Sequence, residues 1–209
     1  MRTKILAAAL KIADEEGFAA VSMRRVAGEL GVGTMSLYHY VAGKDELVFL
    51  ASDELWQEIL LDEVPGDWRD ALTAIAERSR ELLMKRPWLL RQPADDNWRV
   101  GPNFVRHFDQ VLQAVEPLAV APATATKIYQ AVEALVTGNV LRELYTETDE
   151  GAEQDVIAVF TARTAEIAAD LELPRVQAAM QVELPFQSGF EEALTWLLDG
   201  IAAEYEPGD

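Results

Sequence analysis

Apolar residues recur at a helical spacing along nearly the whole chain, and this periodicity constrains the fold more than any other feature. The pattern in residues 5–13, where apolar side chains fall at i, i+4, i+7 and i+8, returns in residues 72–83, 104–115 and 186–201. No run alternates apolar and polar side chains convincingly enough for a β-strand. The sequence therefore predicts an all-α fold.

Glycine and proline divide the chain into about ten predicted helices. Residues 92–103 are the least periodic, and the acidic residues 146–154 are interpreted as a loop. We place the joint between two domains within a long helix over residues 44–61. The predicted organisation is an N-terminal domain of residues 1–46 and a larger all-α domain of residues 47–209.

The charge of the chain is divided unevenly between these two parts. The 209 residues have a net charge of −18, yet residues 1–50 contain six basic and six acidic side chains. The excess of acid lies in residues 51–209, which favours different partners for the two parts. The absence of cysteine excludes a disulfide scaffold and a thiolate metal site and is typical of a reducing cytoplasm. No stretch approaches the roughly 18 apolar residues that span a bilayer, so no membrane partner is expected.

Residues 22–45 have the spacing of a helix-turn-helix. A short helix over residues 23–30 is predicted to end at Gly31, and a second helix is predicted to start at Thr34. The motif needs a small residue where the helices cross, here Ala27, and a glycine for the left-handed turn. The apolar residues expected to lock the pair are Val26, Leu30, Val32, Leu37 and Tyr40. An ordinary helical hairpin would share part of this spacing.

The residues around this motif resemble those of a known family. The runs that carry the resemblance are Gly17-Phe18, Leu37-Tyr38-His39-Tyr40-Val41, Lys44-Asp45-Glu46-Leu47, Arg86-Pro87-Trp88-Leu89 and Gly101-Pro102-Asn103. The first fifty residues resemble the DNA-binding domain of TetR (tetracycline repressor) family transcriptional regulators. The remainder is more loosely similar to the all-α C-terminal domain of that family. The resemblance implies double-stranded operator DNA as a partner.

Side chains suited to DNA contact are concentrated around the predicted recognition helix. Ser22 is expected to cap the preceding helix, and Arg24 and Arg25 in its first turn are candidates for phosphate contact. At the start of the recognition helix, hydroxyl groups can bond base edges or phosphates, and Met35 can meet a thymine methyl group. The predicted DNA-binding residues are Ser22, Arg24, Arg25, Gly33, Thr34, Met35, Ser36, Tyr38, His39 and Lys44.

Four members of this set have more specific expected roles. Gly33 allows the backbone to approach DNA closely. Tyr38 and His39 are expected to follow on the recognition helix and to contact phosphate, and the resemblance supports Tyr38 in particular. Lys44 begins the next helix, where a cation is unfavourable to the helix dipole unless an anion lies nearby. A DNA phosphate would supply that anion.

Aromatic side chains between residues 68 and 190 are more numerous than a small helical bundle needs to fill its centre. Most are expected in the core, and a subset is expected to line an apolar ligand cavity. The predicted ligand-binding residues are Arg91, Trp98, Phe104, His107, Phe108, Tyr129, Glu133 and Asn139. In the family, repressors of metal-chelated tetracycline carry a histidine four residues before the glycine that matches Gly138, where this chain has Ala134. A small apolar or aromatic inducer is therefore expected, without a metal or a cofactor.

Two predicted helices, over residues 123–145 and 187–204, are apolar on more than one face. Such helices are buried on both sides, so we expect them to form a homodimer contact, as the resemblance also implies. Two other classes remain open, an all-α enzyme and a protein-interaction module. The sequence contains no phosphate loop, His-Glu-x-x-His motif or nucleophile elbow that would favour an enzyme. The favoured hypothesis is a repressor that an apolar or aromatic ligand releases from DNA.

Overall fold

The structure, a computed structural model, describes residues 1–91, 100–146, 152–181 and 189–206. Within these ranges the chain forms ten α-helices and no β-strand, which confirms the all-α prediction. The helices are α1 (Arg2–Glu16), α2 (Met23–Leu30), α3 (Thr34–Leu37), α4 (Lys44–Glu58), α5 (Trp68–Lys85), α6 (Pro102–Val115), α7 (Pro122–Thr146), α8 (Ala152–Asp170), α9 (Pro174–Ala179) and α10 (Phe190–Tyr205). In the part of the chain that is described, no helix is long and apolar enough to cross a membrane.

The helix boundaries follow from local chemistry. The Ser22 hydroxyl accepts a hydrogen bond from the backbone N–H of Arg25 at 3.2 Å and caps α2, as its sequence position predicts. Asp67 caps α5 in the same way. Gly31 ends α2 with a φ of +65°, a left-handed conformation that glycine adopts without strain. Helices α6, α7 and α9 each begin with a proline, whose fixed φ suits the first turn.

The loop predicted over residues 146–154 overlaps the helices on both sides of it. Helix α7 continues through Thr146, and α8 already begins at Ala152. Residues 152–154 are Ala-Glu-Gln, which have high helix propensity, and an acidic side chain in the first turn is stabilised by the helix dipole. The acidic composition that favoured a loop is therefore compatible with a helix start.

Two buried apolar clusters lie at the two ends of α4. The N-terminal cluster joins α1, α2 and α3, and Leu47 of α4 packs into it. The larger cluster joins α5, α6, α7 and α10. Between them, Leu10 of α1 packs against Ala51 and Leu55 of α4, with Trp88 partly buried beside them. Helix α4 is therefore one rigid element that runs from the first core to the second.

Helix α8 stands apart from these cores, because its main contacts are with the short helix α9. It exposes the large apolar side chains of Val159, Phe160 and Ile167, and Leu171 in the turn that follows is also exposed. Exposed apolar side chains in such number on one helix indicate a surface that another molecule covers.

Candidate nucleic-acid interface and ligand pocket

The helix-turn-helix forms at the residues that the sequence predicts. Helix α2 spans residues 23–30, and the turn closes with a hydrogen bond from the backbone N–H of Val32 to the carbonyl oxygen of Ala27 at 3.0 Å. Ala27 and Leu37 are buried where α2 and α3 pack together. Helix α3 begins at Thr34, as expected.

Helix α3 is shorter than expected, and this changes where two predicted DNA-binding residues lie. It ends at Leu37, so Tyr38 is its C-terminal capping residue and His39 lies in the turn that follows. The prediction that both lie on the recognition helix was wrong. Tyr40 also departs from its predicted core position, since 47% of its surface is exposed. Exposure of a tyrosine costs little free energy, because its hydroxyl group can bond water.

The start of α3 presents its side chains to solvent. Met35 is 76% exposed, an unusual environment for a large apolar side chain, and Ser36, Tyr38 and His39 are also exposed. Gly33 precedes the helix with a φ of −69°, which any residue adopts. An added Cβ at Gly33 would meet only the Ser36 hydroxyl, at 3.9 Å, so no internal contact requires glycine there.

The two arginines of α2 have different environments. The guanidinium of Arg25 donates to Glu16 at 2.5 and 2.9 Å and to Glu29 at 3.0 Å. Lys11 also donates to Glu29, at 2.6 Å, and these hydrogen bonds lower the pKa of the Glu29 carboxyl. Arg25 therefore holds α2 against α1. Arg24 is exposed and, within the described residues, forms no ion pair, so it is better placed for phosphate contact.

Lys44 is exposed at the first position of α4 and, within the described residues, also forms no ion pair. Asp45 and Glu46 occupy the same first turn, and the Glu46 carboxylate accepts a hydrogen bond from the backbone N–H of Ala42. These two acids satisfy the positive end of the helix. Lys44 has no structural partner that would explain its position.

An aromatic cluster lies at the other end of α4. Trp56 of α4 contacts Phe104 edge-on with ring centroids 5.0 Å apart and lies 5.2 Å from the ring of His107. Phe104 and Phe108 are parallel at 6.5 Å. Tyr129 of α7 contacts His107 edge-on, with centroids 5.6 Å apart. Three helices thus meet through their rings.

The polar groups of this cluster are His107, which is buried, and Tyr129 and Glu133, which are half-buried. The Nε2 atom of His107 lies 3.1 Å from the Tyr129 hydroxyl. His107 is only 1% exposed, and burial lowers the pKa of its imidazole to about 4. Burial also raises the pKa of Glu133, against the opposing effect of a hydrogen bond from Ser79 at 3.0 Å. The Nδ1 atom of His107 is buried without a hydrogen-bond partner among the described residues.

Five of the eight predicted ligand-binding residues therefore come together or lie next to one another, namely Phe104, His107, Phe108, Tyr129 and Glu133. Asn139 bonds elsewhere, since it donates to the Leu135 carbonyl and accepts from Arg142 at 3.0 Å. Trp98 and the side chain of Arg91 lie outside the described residues. No cluster of three or more metal-ligating side chains occurs in the described part of the chain.

Sequence reasoning missed Trp56 and Ser79. Trp56 belongs to the helix that the sequence predicts as the connection between domains, and aromatic residues before residue 68 were outside the predicted ligand-binding set. An aromatic residue about 18 Å along a helix that starts at the DNA-binding motif was the available signal. Ser79 gave no signal, because a serine at a core position of a helix becomes informative only when its carboxylate partner is known.

A buried hydrogen-bond network links the same part of α4 to α6. The Asp53 carboxylate accepts from the backbone N–H groups of Asn103 and Phe104 at 3.1 and 3.3 Å, and so caps α6. The Asn103 side chain donates back to the Asp53 carbonyl oxygen at 3.1 Å. An added Cβ at Gly101 would lie 2.0 Å from the Asp53 carboxylate, which explains the glycine. Helices α4 and α6 are thereby held in one register.

A helix-turn-helix joined through one helix to an internal aromatic cluster defines the class of helical DNA-binding regulators. Residues 5–51 match the family described as bacterial regulatory proteins, tetR family. Residues 62–205 match the tetracyclin repressor-like C-terminal domain. The chain therefore belongs to the TetR family of transcriptional regulators.

Individual relatives agree with this assignment. The chain is 37% identical over 149 residues to the HTH-type transcriptional repressor DrrR1 of Streptomyces coeruleorubidus, a match that covers 70% of this chain and 55% of that relative's length. It is 27% identical over 203 residues to an HTH-type transcriptional regulator of Saccharopolyspora erythraea, covering 96% of this chain and 84% of that protein.

Solved structures also share the fold. The TetR family protein ActR of Streptomyces coelicolor in complex with actinorhodin is 25% identical, with a TM-score of 0.76 over 99% of this chain and 97% of ActR. ActR in complex with (S)-DNPA gives a TM-score of 0.69 at 25% identity, with 98% of both chains covered.

Proposed function

We propose that this protein is a repressor that binds operator DNA as a homodimer and leaves it when a small, mostly apolar or aromatic molecule binds. The observation that carries the proposal is the placement of α4. Lys44 begins this helix beside the exposed recognition helix, and Trp56 of the same helix contacts the buried aromatic cluster. The two sites are about 18 Å apart along one rigid helix, so displacement at one end moves the other.

The chemistry of the aromatic cluster supports the proposed class of ligand. Aromatic faces from α4, α6 and α7 provide stacking surfaces, and His107 is neutral near pH 7 because burial lowers its pKa to about 4. Ala134, where a metal-binding histidine would be expected, disfavours a tetracycline–magnesium complex. ActR, described in complex with actinorhodin, has the same fold and supports ligand binding by this chain.

The exposed apolar residues support the proposed homodimer through residues 123–145 and 187–204. Trp196 of α10 is 67% exposed, and α7 exposes Ala134, Gly138 and Leu141 along one side. Small residues allow helices to approach closely, and a large aromatic residue provides the contact area of an interface. A dimer of two-fold symmetry would read a near-palindromic operator with half-sites at least about one helical turn apart.

An electrophoretic mobility-shift experiment tests the DNA-binding part of this proposal. DNA from the region upstream of the protein's own gene, or a duplex selected from random-sequence DNA, is expected to be shifted at nanomolar to micromolar protein. The double substitution Tyr38→Ala and Lys44→Ala is the matched negative control. Failure of the wild-type protein to select any duplex would contradict the proposal.

Ligand release is tested with the same shifted duplex. Aromatic compounds, actinorhodin among them, are expected to include at least one that dissociates the complex. The favourable difference in ligand affinity between the two states need only be about 1–3 kcal/mol to change operator affinity several-fold to a hundredfold. Substitution of Trp56 by alanine should weaken release and leave DNA binding in the absence of ligand intact. The proposal also includes that this protein has no enzymatic activity and that it is located in the cytoplasm.

A further inference from the structure

Arg86, at the end of α5, connects the larger domain to the DNA-binding domain. Its side chain is almost fully buried, with 5% of the residue exposed. The Nε atom donates to both carboxylate oxygens of Asp14, at 3.0 and 3.3 Å, and Nη1 donates to Glu58 at 2.6 Å. Asp14 belongs to the last turns of α1, and Glu58 is the last residue of α4. One guanidinium therefore ties three helices together.

Trp88 strengthens the same connection. Its indole N–H donates to the Asp14 carboxylate at 2.9 Å, and its ring stacks on Phe18 at 5.4 Å with an angle of 16° between the planes. Phe18 follows Gly17, the residue that ends α1. Arg86 and Trp88 therefore bond Asp14 near the C-terminal end of α1, and Trp88 also contacts Phe18 just beyond it. We call the set of Asp14, Glu58, Arg86 and Trp88 the junction clamp.

The junction clamp is better suited to fixing the relative orientation of its helices than to increasing the free energy of unfolding. Burial lowers the pKa of Arg86, but the hydrogen bond to Glu58 and the charges of Glu58 and Asp14 raise it by more, so the guanidinium stays charged. Arg86 is buried while the side chains of Asp14 and Glu58 are 35% and 36% exposed, and the desolvation of a buried charge offsets much of the attraction of such ion pairs. Their directional hydrogen bonds nevertheless fix relative geometry, and here they fix α1 relative to α4 and α5.

The junction clamp also lies next to the part of α4 that contacts the aromatic cluster. Within six residues, Asp53 caps α6, Trp56 contacts Phe104 and His107, and Glu58 binds Arg86. A molecule that displaces Trp56 must move the segment that carries Glu58. Glu58 lies two residues after Trp56 in the chain and is linked through Arg86 to Asp14 near the end of α1.

We propose that Arg86 is a positioning residue that transmits ligand occupancy to the DNA-binding domain by sharing its guanidinium between Glu58 of α4 and Asp14 of α1. This inference rests on the proposed function. In the DNA-bound form Arg86 holds both carboxylates, and α1 follows α4. When the aromatic cluster rearranges, the Glu58 contact breaks, and the helix-turn-helix is no longer held at the spacing that DNA requires. By reciprocity, DNA binding must alter the aromatic cluster through the same contact.

Hydrogen–deuterium exchange of the full-length protein tests this route without a known inducer. A duplex is first selected from random-sequence DNA by the wild-type protein, and exchange is measured with and without it. The wild type is expected to show slower exchange in residues 34–47 and a change of at least about fivefold in residues 102–108, at the lower end of usual coupling factors. Glu58→Gln, which keeps the shape of the side chain but not its charge, is expected to retain the first effect and lose the second.

The control and the second variant use the same junction. Lys85→Gln removes an exposed contact to Glu58 at 3.9 Å and should behave like the wild type. Asp14→Asn interrupts the other side of Arg86 and should uncouple the two regions as Glu58→Gln does, which provides a test if one variant folds poorly. A purely structural role would change the unfolding temperature and leave the response of residues 102–108 to DNA unchanged.

The outcomes separate this inference from the proposed function. If no duplex is selected, both fail. If DNA binds and residues 102–108 do not respond in the wild type, or respond equally in Glu58→Gln and Asp14→Asn, the role of Arg86 is overturned while DNA binding stands.

Discussion

Within the described residues, neither an ion pair nor burial offsets the unfavourable positions of Lys44 and Met35. Met35 exposes three quarters of its surface, and Lys44 places a positive charge at the positive end of a helix. Asp45 and Glu46 satisfy that helix end, so Lys44 is not needed there. An external anion next to a groove with apolar methyl groups accounts for both residues, and a DNA duplex has these features.

The phosphate contacts lead to a residue-scale prediction. Replacing both Tyr38 and Lys44 by alanine should weaken binding to all duplexes by a similar factor, roughly tenfold or about 1.4 kcal/mol. The salt dependence of log affinity should fall by about one unit of slope, because one cation fewer displaces counterions. Fluorescence anisotropy over a range of salt concentrations measures both quantities.

Two comparisons make this prediction specific. Arg78→Ala removes a charge on the exposed surface of α5, far along the chain from the motif, and should leave the slope nearly unchanged. Met35→Ala should instead change the preference among duplexes, since it affects contact with bases and not with phosphates. Equal affinity of the Tyr38/Lys44 double variant and the wild type at matched salt would refute the interface.

His107 gives a prediction about pH. Its pKa is about 4 in the folded protein and 6.5 in the unfolded chain, because burial disfavours the charged imidazole. Between these values the unfolded state binds the proton and the folded state does not, so the free energy of unfolding falls as pH decreases from 6.5 toward 4. The loss due to His107 should be about 2 kcal/mol between about pH 7 and about pH 5.

Urea denaturation of His107→Gln and the wild type at these two pH values isolates this effect. The difference in stability between the two proteins should shrink at the lower pH, whereas His39→Gln, at an exposed position, should keep the wild-type dependence. Burial raises the pKa of the Glu133 carboxyl, so its contribution to the free energy of unfolding increases as pH falls. Because Glu133 is present in all of these proteins, this contribution cancels when they are compared. A His107→Gln variant with an unchanged pH profile would contradict the buried, neutral imidazole.

At the scale of helices, local chemistry made some boundaries predictable and left others open. Helix α2 was predicted to the residue, because Ser22 and Gly31 stop it at both ends by hydrogen bonding and backbone conformation. The end of α3 was not, because Tyr38 keeps helical dihedral angles and has no stop signal. Phe104 and Phe108, four residues apart on α6, share a face by helical spacing, whereas their association with Tyr129 of α7 and Trp56 of α4 depends on tertiary packing that no local pattern records.

The contact between α4 and α6 gives a prediction at this scale. In Gly101→Ala the new Cβ would meet the buried Asp53 carboxylate at 2.0 Å, and that carboxylate cannot move without losing its bonds to the N-terminus of α6. We expect a loss of about 1–3 kcal/mol in the free energy of unfolding. Gly28→Ala within α2 meets nothing within 4 Å and should stabilise by about 0.5–1 kcal/mol.

Chemical denaturation of these two glycine variants compares them directly. The expected changes in the free energy of unfolding have opposite signs, although both substitutions add one methyl group to a glycine. Destabilisation should accompany faster amide exchange at Asn103 and Phe104, whose N–H groups bond Asp53. If Gly101→Ala is as stable as the wild type, Asp53 does not hold the two helices in register.

At the scale of the whole molecule, the exposed apolar surfaces of α7, α8 and α10 argue against a stable monomer. The charge of −18 keeps the larger domain away from DNA and leaves the nearly neutral first fifty residues for that contact. The apolar faces of the two sequence segments predict that α7 and α10 form the homodimer contact, and this stays a prediction. The sequence could not predict which of their residues remain exposed, because that depends on how α7 and α10 pack against α5 and α6. Leu135 and Leu197, for example, are partly buried against the chain's own core.

Trp196 therefore offers a sharper test of the homodimer than Leu135 or Leu197. Because 67% of Trp196 is exposed, Trp196→Glu leaves the packing within one chain largely unchanged but places a charge in the proposed interface. We expect sedimentation to show a wild-type dimer at micromolar concentration and a folded, monomeric variant. Val105→Glu, at a 54% exposed valine of α6, is the matched control and should stay dimeric. Since two recognition helices are needed for two half-sites, the monomer should bind a palindromic duplex at least about a hundredfold more weakly. A wild-type monomer at micromolar concentration, or a Trp196→Glu dimer of normal affinity, would refute this interface.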